Sequence, residues 1–365
     1  MSSAATGATT DTTTTMPAEW EPHALTWMAF PPPNQTFGEE GGADLQRARV
    51  AWSRVAAAVV AREPVRMLVR PEDVEAAREL LDPRVQLEQV GLDDSWLRDS
   101  GPTFVRGDDG VRAVDWTFNG WGAQSWAAWD QDRLLGAHVA SLAGVPVASS
   151  PLVTEGGGFH VDGEGTVLLT ETVQLDPARN PGWTREQVEA EVHHHLGTTR
   201  AIWLPRGLTA DYGEFGTRGH VDIVATFTRP GAVLVHTQTD PDHPDHAVSQ
   251  EVLDLLRTAT DARGRRLEVT ELLAPRTTEV DGELVDYSYV NHYVANGAVV
   301  LCGFADERDD AAAQVLSRAY PGREVVQVDA RDVFAFGGGI HCITQQQPAW
   351  HRPPSPVPQE PTASR

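Results

Sequence analysis

The chain repeats one pattern of secondary structure, and this repeat constrains the fold more than any other feature. An apolar hairpin, an amphipathic helix and a single strand recur with a period of roughly 50 to 65 residues. The four clearest copies span 103–149, 159–205, 220–273 and 288–330. Their helices are predicted at 131–144, 184–197, 246–264 and 306–322. Repeated units of this kind predict a propeller-like array.

A fifth unit is divided between the two ends of the chain. An apolar segment at 24–30, a helix near 43–62 and a strand at 65–70 lack a hairpin partner, which 339–346 could supply. Pairing these segments closes a ring of five units, so we predict a single-domain α/β fold, a five-bladed α/β propeller around a central site. Two tandem α/β domains remain the alternative, because 365 residues would also fit two or three domains.

The two ends differ in composition from the middle of the chain. Residues 1–15 are rich in Thr and residues 351–365 are rich in Pro, and neither stretch has apolar periodicity. We therefore predict two disordered tails around one folded catalytic domain at 16–350.

Composition excludes several classes of function. A formal net charge of -23 argues against nucleic-acid binding, which needs Lys and Arg to neutralise phosphates. All 29 basic residues are Arg, so a Walker A loop and Schiff-base catalysis are excluded. No apolar stretch approaches the roughly 18 to 20 residues of a membrane span, and the N-terminus lacks the features of a secretory signal. We expect a cytoplasmic protein without a membrane partner, and the sequence leaves a homo-oligomer open.

Four unusual stretches stand at the same place in their units, immediately before or at the start of the hairpin. They are 96–102, 155–160, 218–222 and 337–342. Their markers Asp99, Glu155, His220 and Cys342 are separated by 56, 65 and 122 residues, and 122 is about two units. A fifth marker is then predicted near 287–291. Equivalent positions in repeated units lie at one end of a ring, so we expect these side chains to meet at its axis.

The residue types at these positions indicate thiolate chemistry on a cation. Cys342 would attack, His220 would move protons, and a carboxylate would orient the imidazole. Extra carboxylates at Asp99 and Asp222 suit a guanidinium, whose forked N–H donors pair with them. His220 and Asp222 are predicted to lie in a strand, where residues i and i+2 face the same side.

The other cysteine and the histidine beside Cys342 are predicted to be structural. Cys302 lies in an apolar strand, as a small buried hydrophobe would, and this alternative remains open for Cys342 as well. His341 neighbours Cys342 in a predicted strand and should face the opposite side.

The chain carries, in order, "MPAEWEPHALTWMAFP" (16–31), "WLRDSGPTFV" (96–105), "EGGGFHVDGEGTVLLTE" (155–171), "GHVD" (219–222), "SYVNHY" (288–293) and "GGGIHCITQQQP" (337–348). In these motifs it resembles the agmatine deiminase family of bacteria and plants. That family is related to the bacterial peptidylarginine deiminases, within the pentein group of guanidine-modifying enzymes. The resemblance covers about 16–350 and implies the five-bladed α/β propeller with a central site.

The resemblance also implies catalytic roles. Cys342 is the expected nucleophile that forms an amidino-thioether, and His220 the expected acid and base. Asp99 and Asp222 are the expected guanidinium clamp. Glu155 either lies on the second side of the substrate or orients His220. No metal or organic cofactor is expected.

The substrate is implied to be a small cationic guanidine. The expected substrate-binding residues are Trp96, Asp99, Asp222, Tyr289, Asn291 and Gly338. The favoured reaction converts agmatine to N-carbamoylputrescine and ammonia. Peptidyl-arginine or another small guanidine, an amidinotransferase reaction and a guanidine-binding pseudoenzyme are the alternatives.

Two departures from the family pattern limit the substrate assignment. Residues 31–40 read "PPPNQTFGEE" where the family usually has a "DNWR"-like run, and the loop 209–218 is longer than the family norm. We hypothesise that Asp211 or Glu214 in this loop contacts a distal amine.

Overall fold

The computed structural model describes residues 14–350. Residues 1–13 and 351–365, which hold most of the two predicted tails, lie outside the described residues. The prediction of disorder up to residue 15 is wrong for Thr15, whose N–H and C=O pair with the backbone of Arg106 at 2.8 Å in both directions. Ordered backbone therefore begins before the predicted boundary.

The described residues form strands and helices in regular alternation. The strands are β1 (His23–Ala29), β2 (Val65–Val69), β3 (Gln86–Gln89), β4 (Thr103–Gly107), β5 (Gly110–Thr117), β6 (Val147–Val153), β7 (Phe159–Val161), β8 (Thr166–Thr170), β9 (Arg200–Leu204), β10 (Ala225–Arg229), β11 (Ala232–Thr237), β12 (Glu268–Leu273), β13 (Glu279–Val280), β14 (Glu283–Leu284), β15 (Tyr293–Ala295), β16 (Ala298–Gly303), β17 (Glu324–Asp329) and β18 (Gln345–Pro348). The helices are α1 (Ala43–Val60), α2 (Val74–Leu80), α3 (Leu97–Ser100), α4 (Gly120–Ala123), α5 (Leu135–Ala143), α6 (Glu171–Gln174), α7 (Arg185–Leu196), α8 (Pro244–Thr258), α9 (Asp309–Ala319) and α10 (Arg331–Phe334).

The strands form five sheets of the predicted kind. Four sheets have the orders β4-β5-β6, β7-β8-β9, β10-β11-β12 and β15-β16-β17, and the fifth has the order β18-β1-β2-β3. In each, the first pair is antiparallel and the next pair is parallel. The C-terminal β18 pairs with the N-terminal β1 and completes the fifth sheet, as predicted. The fourth strand β3 and the small β13-β14 hairpin were not predicted.

A helix connects each parallel pair and covers one face of its sheet. The middle strands β8, β11 and β16 are consequently buried along their whole length, and they read as apolar runs. Local sequence fixes the helix ends: in α7, Thr184 and Gln187 form a capping box, and Gly197 ends the helix in a left-handed conformation. None of the helices within 14–350 is both long and apolar enough to cross a membrane.

Helices α5, α8 and α9 are shorter than predicted, and α8 ends well before its predicted C-terminus. Helix α8 ends at Thr258, whereas the prediction extended to residue 264. The carboxylate of Asp261 accepts the backbone N–H groups of Arg263 and Arg265, at 2.9 and 2.8 Å, and this turn replaces the last helical residues.

The marker residues precede the first strands of their sheets, but none lies in a strand, and Asp99 lies in α3. His220 comes directly before a 3₁₀ turn at Val221–Ile223 that contains Asp222, and Cys342 lies in a turn before β18. Placing His220, Asp222 and Cys342 in strands was therefore wrong. A turn does not impose alternation, so the faces of these side chains follow from tertiary contacts.

Candidate active site

Three of the predicted site residues converge around Gly157. A Cβ added to this glycine would lie 2.4 Å from Nδ1 of His220 and 3.0 Å from both Asp222 Oδ2 and Asp99 Oδ1. Any side chain here would occupy the space between the two carboxylates and the imidazole. The Gly-rich stretch before β7 is thus required by a close approach at the centre of the ring.

The thiol of Cys342 lies in the same cluster. Its Sγ accepts from Asn291 Nδ2 at 3.2 Å and from the backbone N–H of Gly339 at 3.4 Å, and it donates to Asp222 Oδ2 at 3.5 Å. Asn291 belongs to the unit that lacked a marker residue, and it lies within the predicted 287–291. Each of the five repeated units therefore contributes a side chain to one site.

Asp222 presents its two oxygens to different environments. Oδ2 accepts from His341 Nδ1 at 2.8 Å as well as from the thiol. Oδ1 is buried and has no hydrogen-bond partner among the described residues. A buried carboxylate oxygen without a donor is a strong candidate for binding a cationic ligand.

Glu155 lies behind His220 and orients it. His220 Nε2 is 3.2 Å from Glu155 Oε2, while Arg179 Nε donates to both Glu155 oxygens at 2.9 and 3.1 Å. His220 Nδ1 is 3.8 Å from Asp99 Oδ1, too far for a hydrogen bond, and it has no other partner among the described residues. Asp99 itself accepts from Trp121 Nε1 at 3.0 Å. Glu155 therefore holds the imidazole through Nε2, and Nδ1 is available for proton transfer.

Burial and the neighbouring charges shift the pKa values of Asp99, His220, Glu155 and Cys342. Burial raises the pKa of Asp99 to about 6, against the opposing charge of His220. Burial opposes the charged form of His220, but Asp99 and Glu155 raise its pKa to about 9. Burial would raise the pKa of Glu155, yet Arg179 and His220 hold it at about 2. Burial, Asp222 and Asp99 raise the pKa of Cys342, so these surroundings favour the protonated thiol.

A narrow pocket leads to the thiol. It is lined by Trp96, Asp99, Trp121, Phe215, Thr217, Gly337 and Cys342. Trp96 lies in this lining, as expected. Gly338 leaves no room for a side chain, because a Cβ there would lie 3.2 Å from Cys342 Sγ and 2.8 Å from the Trp96 ring, and its role in substrate binding stays a prediction. Trp121, Phe215 and Thr217 were missed, although Phe215 and Thr217 belong to the loop 209–218 that the sequence marked as unusual.

Several predicted positions are not among the residues that line this pocket: Asp222, Asn291 and Gly338, which lie beside the thiol, and Tyr289 and Asp211. Tyr289 donates its hydroxyl to Asp309 at 2.7 Å, and its ring packs against Phe304, so its role in substrate binding stays a prediction without a supporting contact. Asp211 is buried and accepts from the backbone N–H groups of Thr217 at 2.6 Å and Gly219 at 2.6 Å. Its carboxylate is saturated by its own loop, so a contact to a distal amine is excluded.

His341 was predicted to face away from the site, and this was also wrong. Besides its contact to Asp222, its Nε2 lies 2.8 Å from Oε1 of Glu19, a residue not predicted to belong to the site. Glu19 and Arg98 lie within two of the recognised motifs, at 16–31 and 96–105. Their charged side chains inside these motifs were the sequence signal that could have placed them at the site. By contrast Cys302 is buried in β16, as predicted, and burial raises its pKa to about 12.

Known proteins are similar to this chain in sequence and in fold. The profile of the family described as Porphyromonas-type peptidyl-arginine deiminase matches residues 15–348. A Streptomyces coelicolor protein with a provisional agmatine deiminase name is 61% identical over 335 residues, 91% of this chain and 98% of its own. The agmatine deiminase of Medicago truncatula is 38% identical over 366 residues, 92% of this chain and 96% of its own.

A solved structure extends the match to three dimensions. The agmatine deiminase of Enterococcus faecalis superimposes with a TM-score of 0.85 at 33% identity, over 92% of this chain and 96% of that chain. This match confirms the predicted pentein fold. From its sequence profile, its relatives and its fold, the chain belongs to the Porphyromonas-type peptidyl-arginine deiminase family.

Proposed function

We propose that this chain hydrolyses agmatine to N-carbamoylputrescine and ammonia through a covalent amidino intermediate on Cys342. The observation that carries the proposal is the pair of buried carboxylates, Asp99 and Asp222, beside a buried thiol. Carboxylates at this position would repel a developing oxyanion but stabilise a planar cation. Agmatine deiminases of M. truncatula and E. faecalis match 92% of this chain, which supports this substrate.

The guanidinium is proposed to lie between Asp99 and the free Oδ1 of Asp222. Its positive charge offsets the two carboxylates that raise the thiol pKa, so binding itself favours the thiolate. The sulfur attacks the guanidinium carbon and forms a C–S bond. Protonated His220 supplies a proton to the departing nitrogen, the C–N bond breaks and ammonia leaves. The thiol proton passes to solvent as the thiolate forms, so this half-reaction releases one proton and leaves His220 neutral.

The second half-reaction regenerates the thiol. His220, now neutral, accepts a proton from a water molecule that attacks the amidino carbon. The C–S bond then breaks, and the oxygen remains as the carbonyl of N-carbamoylputrescine. Glu155 and Arg179 hold the imidazole in one orientation through both steps.

The pocket lining favours agmatine over arginine. None of the lining residues identified within 14–350 carries a positive charge that would pair with an α-carboxylate. Trp96, Trp121 and Phe215 form apolar walls that suit a butyl chain. The thiol is only 4% exposed, so a narrow aliphatic guanidine reaches it more easily than a folded peptide.

Ammonia release tests the proposal. Agmatine, arginine and an arginyl peptide are compared with the intact chain, Cys342→Ala and the matched control Cys302→Ala. We expect ammonia from agmatine, a loss of at least about 1000-fold in Cys342→Ala and retained activity in Cys302→Ala. Equal activity of the two variants, or no ammonia from agmatine, would overturn the assignment. Recovery of the amidine on an added amine would indicate amidinotransfer instead.

The remaining sequence predictions belong to this proposal. Glu214 is exposed on the loop 209–218 and remains the candidate partner of the distal ammonium. Glu214→Gln should raise KM for agmatine and leave kcat unchanged, and an unchanged KM would exclude it. We propose a cytoplasmic enzyme that needs no metal or organic cofactor, and activity that survives EDTA would support this. Size-exclusion chromatography would decide whether the chain is a homo-oligomer.

A further inference from the structure

A second histidine lies behind the thiol and is not used in the proposed cycle. Both ring nitrogens of His341 face carboxylate oxygens, Asp222 Oδ2 at 2.8 Å and Glu19 Oε1 at 2.8 Å. An ionised carboxylate only accepts hydrogen bonds, so each nitrogen must carry a proton for both contacts to form. The geometry therefore requires an imidazolium unless one of the two acids is protonated.

The two carboxylates are ionised. Although burial opposes it, His341, Arg98 and His160 hold the pKa of Glu19 well below its ordinary value. The pKa of Asp222 is likewise lowered, against burial, by His341 and His220. Burial and the charge of Arg98 oppose protonation of His341, but Glu19 and Asp222 raise its pKa. The cation is consistent with every group that contacts it.

Three other basic side chains surround this ring, namely Arg98, His160 and His292. Arg98 donates to the backbone carbonyl of His341 at 3.3 Å and lies 3.5 Å from Glu19. His160 stands 6.4 Å away between ring centroids, and burial lowers the pKa of the nearby His292 to about 4. The contact from His341 Nδ1 to Asp222 Oδ2 is thus the direct link from this cation to the thiol, which donates to the same oxygen.

We propose that His341 is a positioning residue for the thiol: as an imidazolium held by Glu19, it fixes Asp222 Oδ2 beside Cys342 and keeps that carboxylate ionised. The other oxygen of Asp222 is left free for the guanidinium. His341 touches neither substrate nor the reacting atoms, and it acts through Asp222. The kinetic part of this inference rests on the proposed deiminase activity, whereas the protonation state does not.

The protonation state is tested first, by ¹⁵N NMR of the histidine rings at pH 8. A free imidazole is neutral at this pH, since its pKa is about 6.5. We expect both nitrogens of His341 to be protonated, with its signal assigned by its absence from His341→Asn. The exposed His194 on α7, assigned with His194→Asn, is the internal reference for the spectrum. A neutral His341 overturns the proposal, whether or not the chain acts on agmatine.

Two variants then test the positioning role. In His341→Asn the amide nitrogen replaces Nδ1 and can still donate to Asp222, but the charge is lost. Asp222 is then protonated at higher pH, so the acidic limb of kcat/KM should move upward, with a loss of about 10- to 100-fold at pH 7. Glu19→Gln removes the rear carboxylate, so His341 should lose its proton at lower pH and the alkaline limb should move downward.

The controls separate this role from a merely structural one. His194→Asn should leave both limbs unchanged. Unshifted limbs in folded Glu19→Gln overturn the positioning role, even if kcat is lower. If His341→Asn does not fold, the pH limbs of Glu19→Gln still decide whether His341 has the positioning role.

Discussion

Asn291 donates its side-chain amide to the sulfur of Cys342 at 3.2 Å, across 51 residues of sequence. Its Oδ1 accepts the backbone N–H of His341 at 2.9 Å, so one side chain fixes both the sulfur and the turn that carries it. Because Asp222 and Asp99 raise the thiol pKa, this amide is one of the few donors that favour the thiolate.

Replacing Asn291 should therefore change thiol reactivity. Asn291→Asp keeps the shape but adds a negative charge beside the sulfur. Asn291→Ala removes the donor to the sulfur and the acceptor for the backbone N–H of His341. We expect kcat/KM to fall by about 10-fold or more in the Ala variant and further in the Asp variant, because a lost hydrogen bond to a charged group is worth about 1.5 to 3 kcal/mol. The pH dependence of alkylation by iodoacetamide is the check. The same reactivity in both variants would contradict a charge effect.

Thiol reactivity should also depend on the charge of the reagent. Chloroacetamidine is cationic and chloroacetamide is neutral, while their shapes match. We expect the cationic reagent to modify Cys342 much faster at pH 7, because it offsets the charges of Asp99 and Asp222 as the guanidinium does. Mass spectrometry of the labelled peptide measures both rates, with Cys302 as the internal control. A neutral reagent that reacts equally fast would show that the thiol ionises without help from a bound cation.

Asp211 should control the position of His220 through the loop that precedes it. Its carboxylate accepts the backbone N–H groups of Thr217, Gly219 and His220, the last at 3.2 Å. Asp211→Asn replaces one accepting oxygen with a donor that faces backbone N–H groups. We expect kcat to fall more than KM rises, and Tm to fall by several degrees. A variant with normal kcat and Tm would show that the loop keeps its conformation without these bonds.

The buried pair of Glu155 and Arg179 should make stability depend on acid. The pKa of Glu155 is held at about 2 in the folded chain against an ordinary value of 4.5, so its contribution is fully present above about pH 4.5 and is lost as pH falls through 2. Glu155→Gln removes this contribution. Urea unfolding measures the free energy of unfolding of the intact chain and of Glu155→Gln. We expect the difference between them to become smaller as pH falls from 5 to 2. A constant difference would contradict the low pKa.

Much of the fold was predictable because it is repeated. The hairpins at 103–116 and 159–171 formed with glycines at their turns, and the pairing of the C-terminal segment with 24–30 followed from a missing partner. The extra strand β3 was missed because it has no counterpart in the other units. Helix α8 was overextended because the turn at Asp261 depends on a side-chain contact.

The sequence by itself determined the ring of five units, the phase in which Asp99, Glu155, His220 and Cys342 recur, and the chemistry those residue types suit. Only the tertiary structure decided that Asn291 contacts the thiol and that His341 contacts Asp222 behind it. It also decided that the carboxylate of Asp211 is hydrogen-bonded within its own loop and that Tyr289 lies outside the pocket lining. Periodicity is a property of each unit and can be read along the chain. Side-chain direction in a turn is set by contacts between units, here from Glu19 and Asp222, which are 322 and 119 residues from His341.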